Sequence, residues 1–207
     1  MANGIPAPAV GALTFDVEGQ EGGRFDSRRF HVPSASSGLT IGRGYDMKLR
    51  TKSQIRDDLA AAGVAPALSA LISQAAGMEG GQADEFIAGN HLENFRIEPE
   101  AQLNLFETEY ARQAADARRL ATKADVTEAY GVTDWEALNP AIRETVVDLR
   151  FRGDYTPTAR RFLQTCIVND DLAAFAREIS DQENWPNVPD DRFDRRKAFC
   201  DTALSEA

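Results

Sequence analysis

The chain has 207 residues, 43% of them hydrophobic and 27% charged, which is ordinary for a globular protein of one domain. The net charge of −10 is uneven: residues 1–56 hold eight Lys/Arg against five Asp/Glu, and residues 57–140 hold five against fifteen. This balance argues against a nucleic-acid binder, which needs a basic face. Because no run of 18 apolar residues and no classical secretory signal occurs, we expect no membrane span and synthesis in the cytoplasm.

The first part of the chain is predicted to form one short helix and then a small β-hairpin. Val10, Leu13 and Val17 recur on one helical face just before Glu18-Gly19. Residues 18–46 contain six glycines, a serine cluster and two short β-type runs, at 30–32 and 39–41. We therefore predict a hairpin lobe over about residues 18–50.

The remainder is predicted to be mainly helical. Residues 51–54 read Thr-Lys-Ser-Gln, a capping box, and Pro66 opens a second helix. Apolar residues at three- and four-residue spacing predict a long helix of about six turns from Glu98. Asn139-Pro140 is an N-cap followed by proline at the first helical position, and two more helices are expected around 172–179 and 193–200. The predicted fold class is α+β and predominantly helical.

The cysteine and histidine content predicts neither a metal site nor a cofactor. Cys166, Cys200, His31 and His91 show no ligand-spacing motif for zinc. The two cysteines are predicted to be buried thiols, and a disulfide between them stays an alternative because sequence does not reveal its geometry.

Two segments hold candidates for acid–base chemistry on a glycosidic bond. Such hydrolysis needs a protonated carboxyl at the leaving oxygen and a second carboxylate opposite it. Glu18 ends an apolar helix, where partial desolvation favours the protonated form of a general acid. In residues 38–46, strand alternation places Thr40 opposite Leu39 and Ile41, so that its hydroxyl is expected to face a cleft. A hydroxyl and a carboxylate together can hold and deprotonate one water.

These two segments resemble a known family of enzymes. Glu18-Gly19 followed by Ser37-Gly38-Leu39-Thr40-Ile41-Gly42-Arg43-Gly44-Tyr45-Asp46 resembles the phage-type lysozymes of glycoside hydrolase family 24, which have a Glu-Gly pair and then a Thr-Ile-Gly-x-Gly segment. The pattern is more similar still to the pesticin-like branch, bacterial toxins that carry a phage-lysozyme-like domain. Residues 135–153 resemble the helix that leads back to the cleft. Asn184-Trp185-Pro186 with Arg192 and Arg195 is similar to the family's Trp-containing loop and arginine-rich last helices.

The resemblance implies a two-lobed lysozyme-like fold over residues 1–207. In it a hairpin lobe is joined by the long helix to a helical lobe of about residues 98–207 plus the N-terminal helix. It also implies roles for individual residues. Glu18 would be the general acid, and Thr40 and Asp46 would position and activate the water.

Other residues receive supporting roles from the same resemblance. Arg150 and Phe151 would contact substrate at the cleft-facing end of a helix, although Phe151 is equally well read as core. Tyr45 is assigned to substrate binding. Arg192 stands seven residues after Trp185, the spacing of a family arginine that pairs with the catalytic glutamate. Its competitors for that role are Arg177, Arg195 and Arg196.

Two rival carboxylates follow from departures from the phage pattern. The phage enzymes place their aspartate where this chain has Ser27, with Asp26 beside it. The pesticin-like pattern places it six residues after the threonine, where Asp46 stands, so we prefer Asp46 to Asp26. Glu21-Gly22 is a second Glu-Gly pair, in a loop that offers little burial, so we prefer Glu18 to Glu21.

The resemblance implies a lysozyme (muramidase) that cuts the β-1,4 bond between N-acetylmuramic acid and N-acetylglucosamine in peptidoglycan, with inversion. Its partner would be the peptidoglycan glycan strand, in the periplasm or cell wall of target bacteria. The alternatives are a lytic transglycosylase, which needs no water-holding pair, and a non-catalytic peptidoglycan-binding module. Phage endolysin, bacteriocin domain and delivered effector all fit, and the last two imply a periplasmic immunity protein or a delivery machine.

Overall fold

The computed structural model describes residues 6–206, which are mostly helical and include one small antiparallel sheet. The helices are α1 (Ala12–Val17), α2 (Lys52–Ala61), α3 (Pro66–Ile72), α4 (Gly81–Gly89), α5 (Pro99–Thr122), α6 (Ala124–Tyr130), α7 (Pro140–Arg152), α8 (Pro157–Val168), α9 (Leu172–Ser180) and α10 (Asp190–Glu206). Strands β1 (Thr40–Ile41) and β2 (Tyr45–Asp46) form the sheet. The predicted α+β class with a predominance of helix is confirmed.

Local sequence signals set several of the helix ends. Thr51 caps α2 through the predicted capping box, with its side chain accepting from the Gln54 N–H. Asn139 caps α7 ahead of Pro140, and Gly153 closes that helix in the left-handed conformation at φ 93°. These ends form as predicted because they depend on a few adjacent residues.

The hairpin differs from its predicted form. The two strands of the hairpin are β1 and β2, in the register Thr40↔Asp46 and Ile41↔Tyr45, and the run at 30–32 is not one of them. That run instead pairs with β1 through the bridge His31↔Thr40. Gly42 and Gly44, both at positive φ, permit the three-residue turn between β1 and β2.

The chain forms two compact units. Unit 1 comprises Glu18–Glu109 together with the described residues up to Ala9, and unit 2 comprises Val10–Val17 and Tyr110–Ala207. Helix α5 contributes residues to both. In unit 1 the core contains the apolar side chains of the hairpin, among them Leu39, Ile41 and Met47, and those of α2 and α3.

The core of unit 2 surrounds α7, which is buried along most of Ala141–Leu149. Helix α1 packs on α7 and α10, but Val10 precedes it and is 62% exposed, so it does not belong to the predicted apolar face. Cys166 and Cys200 are both buried free thiols, which excludes the alternative of a disulfide. Within residues 6–206, no helix combines the length and hydropathy that crossing a membrane requires.

Candidate active site

Thr40 and Asp46 are brought together by the register of the hairpin. They are direct cross-strand partners, so their side chains lie on the same face of the sheet. The Met47 N–H bonds to the Leu39 carbonyl at 3.0 Å, and the Thr40 N–H bonds to His31 on the other side. Thr40 and Asp46 are therefore a non-hydrogen-bonded pair, the kind in which opposite side chains approach most closely.

Gly38 is the point on which both side chains converge. The Gly38 N–H donates to Asp46 Oδ2 at 3.0 Å, and the Thr40 hydroxyl donates to the Gly38 carbonyl at 3.1 Å. The Lys48 N–H donates to Asp46 Oδ1 at 2.7 Å, so each carboxylate oxygen has one backbone donor. A Cβ on Gly38 would lie 2.6 Å from the Lys48 nitrogen and closer still to Asp46 Oδ1. The carboxylate thus occupies the space that the glycine leaves empty.

Thr40 is more enclosed than predicted. Leu39 and Ile41 pack in the core, as the alternation requires, but Thr40 itself is only 5% exposed. Its hydroxyl hydrogen is used by the Gly38 carbonyl, which leaves the oxygen lone pairs of Thr40 as acceptors. The side chain can therefore receive a hydrogen bond from a water but does not display an open hydroxyl.

His31 extends the same row of side chains. The His31 N–H and carbonyl both bond to Thr40, at 3.1 and 2.9 Å, so the two residues face each other across the bridge. The ring stacks edge-to-face on Phe25, and Nδ1 lies 3.0 Å from the Arg29 carbonyl. Burial lowers the pKa of His31, which favours the neutral imidazole. The order across the sheet is His31, Thr40, Asp46.

Arg43, in the turn of the hairpin, packs against the segment that contains Glu18. A Cβ on Gly19 would overlap the Arg43 guanidinium, with Nε at 2.8 Å and both Cζ and Nη1 closer. Gly19 is therefore needed for the close approach, and the half-buried Glu18 is the residue directly before it. Arg43 is buried, and its Nη2 donates to Glu21 Oε1 at 2.8 Å.

Ser27 connects the loop after Glu18 to the hairpin turn. Its hydroxyl accepts from the Gln20 N–H at 2.8 Å, and its own N–H donates to the Gln20 carbonyl at 2.8 Å. The Ser27 carbonyl accepts from the Gly42 N–H at 2.6 Å. Ser27 stands where the phage pattern has an aspartate. In this chain it is buried and holds the loop and the hairpin turn together through hydrogen bonds.

The two rival carboxylates both form ion pairs with arginine. Asp26 is buried, bonds to Arg96 through Oδ2 and accepts from the Arg28 N–H at 3.0 Å through Oδ1. Glu21 pairs with Arg43 at 2.8 Å and lies 4.0 Å from Arg28. The sequence of its loop gave no indication of these two arginine contacts. Each of these carboxylates supplies the counter-charge of a guanidinium.

Tyr45 lies in the core and not at a surface. It is 1% exposed, and its hydroxyl donates to Asp58 Oδ2 at 2.7 Å. The Arg50 guanidinium covers its ring at 4.1 Å and bonds to Glu109 at 2.7 Å. The predicted contact of Tyr45 with a sugar is therefore wrong for this structure, because no ring surface is accessible. Its neighbour Asp46 points to the opposite face of the strand.

In unit 2, Arg192 belongs to a buried network of charges. Asp148 is fully buried in α7 and accepts from Arg192 Nη2 at 2.7 Å and from Arg196 Nε at 2.6 Å. Arg196 also forms an ion pair with Asp154 at 2.8 Å, and Asp154 forms a second one with Arg152 at 2.5 Å. This network joins α7 to α10. The predicted pairing of Arg192 with Glu18 stays a prediction.

The two other predicted substrate contacts of unit 2 are half-buried residues at the end of α7. Arg150 Nε bonds to Asp116 at 2.5 Å, and Asp116 also pairs with Arg119 at 2.6 Å. Phe151 follows on the same helix. Arg150 and Phe151 both retain some exposure, and their contact with substrate stays a prediction.

Three residues near the predicted catalytic pair were not assigned a role from the sequence. Two of them lie inside the motif and gave a sequence signal. Gly38 is a glycine two residues before the threonine, and Arg43 is an arginine between two glycines. His31 gave no signal, because its position beside Thr40 depends on pairing between separate segments.

The comparisons with known proteins place the chain in a family. Residues 11–197 match the family described as domain of unknown function DUF8812, so the chain belongs to that family. A search of curated proteins gave no match.

Proposed function

We propose that this protein is a lysozyme-type glycoside hydrolase that cuts the glycan strands of bacterial peptidoglycan. Glu18 is the general acid, Asp46 is the base and Thr40 helps to hold the attacking water. The observation that carries the proposal is the fixed placement of the Asp46 carboxylate over Gly38, beside Thr40 in the register of the hairpin. The resemblance of Glu18-Gly19 and residues 37–46 to the motif of the phage-type lysozymes supports the same assignment.

The geometry of Asp46 suits a base that acts on a water. A carboxylate has about four acceptor sites, and backbone donors occupy one on each oxygen. The remaining sites can accept a proton from a water whose other hydrogen is bonded to Thr40. Because backbone donors hold the carboxylate, little reorganisation is needed when the water is deprotonated.

The half-buried position of Glu18 supports it over the exposed Glu21, and the ion pair of Asp26 with Arg96 supports Asp46 over Asp26. Glu21 pairs with Arg43, and Asp26 pairs with Arg96, so each of these carboxylates holds a neighbouring guanidinium in place. The Arg43 contact with Gly19 holds the Glu18 segment at the hairpin turn. In this arrangement Glu18 donates the proton to the leaving oxygen while Asp46 takes one from water, which gives an inverting reaction.

The proposed substrate lies outside the cytoplasmic membrane, so the protein acts in the periplasm or the cell wall of a target bacterium. No cofactor takes part in the proposed mechanism. Phage endolysin, bacteriocin domain and delivered effector are all consistent with this activity. The last two would add an immunity protein or a delivery machine as a partner.

The experiment is a paired comparison of four variants on purified peptidoglycan, with release of reducing ends as the readout. Glu18→Gln and Asp46→Asn should each lose about a hundredfold or more of the rate, because each removes a proton-transfer group. Glu21→Gln and Asp26→Asn should stay within a few-fold of the wild type per folded molecule. Thermal unfolding of all four separates loss of chemistry from loss of fold. The reverse ranking would contradict the assignment, and an inactive wild type would contradict the function.

A further inference from the structure

A third side chain lies beside the proposed catalytic pair on the same face of the sheet. His31 is the direct bridge partner of Thr40, so its side chain lies on the face that also carries Thr40 and Asp46. Its chain neighbours Phe30 and Val32 are buried in the core, as strand alternation requires for the opposite face. His31 therefore lies one strand beyond Thr40, about 4.8 Å away.

The backbone of this segment is covered on both edges. The hairpin covers one edge through the backbone hydrogen bonds of Thr40. On the other edge Arg29 is bridged to Arg96. Beside that bridge, the Ile97 N–H donates to the Arg28 carbonyl at 2.9 Å. A ligand at this segment would therefore be recognised by side chains and not by an open strand edge.

One nitrogen of the His31 ring is bonded and the other is available to a ligand. Nδ1 lies 3.0 Å from the Arg29 carbonyl, so in the neutral ring Nδ1 carries the proton and Nε2 a lone pair. Burial lowers the pKa of His31, against smaller opposing effects of the Arg29 carbonyl and the Asp26 carboxylate, and so favours this neutral form. Within residues 6–206 no hydrogen bond is made to Nε2. Nε2 is therefore a hydrogen-bond acceptor without a protein donor in that part of the chain.

A pocket of about 300 Å³ adjoins His31 and combines charged with apolar side chains. Its two cations and two anions balance, and they are Arg24, Arg29, Asp84 and Glu93. None of these four forms an ion pair within residues 6–206. The apolar residues that line it are Phe30, Val32 and Ile87. Such a pocket suits a ligand that has hydrogen-bond donors, acceptors and an apolar face but no net charge. A neutral sugar ring has these properties, because each of its hydroxyl groups can both donate and accept.

We propose that this pocket is a subsite for N-acetylglucosamine, and that His31 Nε2 accepts a hydrogen bond from a hydroxyl of that sugar. The proposal rests on the proposed function. In a peptidoglycan strand the N-acetylmuramic acid at the reacting bond has N-acetylglucosamine on both sides, so the next sugar in either direction is neutral.

The location and the charge of the pocket support this occupant. The pocket begins at His31, one strand or about 4.8 Å from Thr40, which is about the length of one sugar unit. A strand whose reacting bond lies at Thr40 would therefore place its next sugar at the pocket. N-acetylmuramic acid carries a carboxylate, for which a pocket without net charge offers no preference.

The first test is binding of the disaccharide of N-acetylglucosamine to the ¹⁵N-labelled full chain, followed by NMR. The amide signals of His31 and Asp84 should shift. His31→Asn and Asp84→Asn should each weaken binding about fivefold to tenfold, because each loses one hydrogen bond to the sugar. Glu85→Gln is the matched control, since Glu85 is exposed next to Asp84 on α4 and does not line the pocket. It should keep the wild-type affinity.

A second variant of His31 separates the role of Nε2 from a structural role of the ring. In His31→Asn the shorter amide can still donate to the Arg29 carbonyl but does not reach the position of Nε2. In His31→Gln the longer amide reaches that position, so binding should return to within about twofold of the wild type. Absence of shifts in the wild type, or equal affinities of His31→Asn and Glu85→Gln, would overturn the subsite. Tighter binding of N-acetylmuramic acid than of N-acetylglucosamine would contradict the neutral occupant.

Cleavage of purified peptidoglycan separates failure of this inference from failure of the proposed function. A subsite that binds the sugar equally in the ground and transition states changes KM and not kcat. His31→Asn should therefore raise KM about fivefold to tenfold at constant kcat, and a fall in kcat at constant KM would contradict the binding role. A wild type that cleaves peptidoglycan but does not bind the disaccharide would overturn the subsite alone. A wild type that binds the disaccharide at His31 and cleaves nothing would support the subsite and overturn the hydrolase assignment.

Discussion

Replacing Gly38 by alanine tests the Asp46 site without touching a group that does chemistry. The added Cβ would lie 2.6 Å from the Lys48 backbone nitrogen and closer to Asp46 Oδ1, distances at which atoms must move. Because one obstacle is backbone, the carboxylate is the part expected to rotate away. Overpacking of this kind costs about 1–3 kcal/mol of the free energy of unfolding.

Activity should fall further than stability in this variant. Displacement of Asp46 removes the base, so the rate of reducing-end release should drop by about a hundredfold. Gly89→Ala is the matched control, because its Cβ meets nothing within 4 Å at the end of α4. It should retain full activity and unfold at the same or a slightly higher urea concentration. A folded Gly38→Ala protein with wild-type turnover would refute the assignment of Asp46 as base.

Three further predictions concern residues outside the reacting pair. Tyr45→Phe should lower the free energy of unfolding in urea by about 1–3 kcal/mol, because Asp58 loses a buried hydrogen-bond donor, and KM should be unchanged. A raised KM at equal stability would show that Tyr45 contacts the substrate. Asp148→Asn should lower the free energy of unfolding by about 3–5 kcal/mol, since the buried guanidinium groups of Arg192 and Arg196 lose their shared carboxylate. A loss below about 1 kcal/mol would contradict the stabilising role of this network. Burial raises the pKa of Cys200 to about 11, so its thiol should not react with a disulfide reagent at pH 8 until the protein is unfolded; rapid reaction of the native protein would contradict the burial.

The elements that depend on neighbouring residues were predictable from the sequence. The caps at Thr51 and Asn139 and the long helix from Pro99 formed as expected, because capping and periodicity are local properties. Helix α8 was missed although Thr156 and Pro157 give the same cap-and-proline signal. Helices α4 and α6 are short, and α4 begins at a glycine, so their sequence signal is weak.

The positions of the candidate residues were predictable only where the spacing within one hairpin decides them. Thr40 and Asp46 are six residues apart around a tight turn, and the hairpin pairs them. The prediction that Tyr45 contacts substrate is wrong, and strand alternation already places Tyr45 on the face opposite Asp46. The position of His31 beside Thr40 and the contact of Arg43 with Gly19 depend on long-range packing, which the sequence does not specify locally.

The anomeric form of the first products shows whether Glu18 and Asp46 act as acid and base on an attacking water. Purified peptidoglycan is digested in an NMR tube, and the new N-acetylmuramic acid ends are followed before mutarotation. The new reducing ends should appear first as the α-anomer, since a water between two carboxyls about 6.5–9.5 Å apart attacks opposite the leaving group. The Glu18→Gln protein should release these ends about a hundredfold or more slowly. Anhydro ends, or reducing ends that appear first as the β-anomer, would contradict these roles.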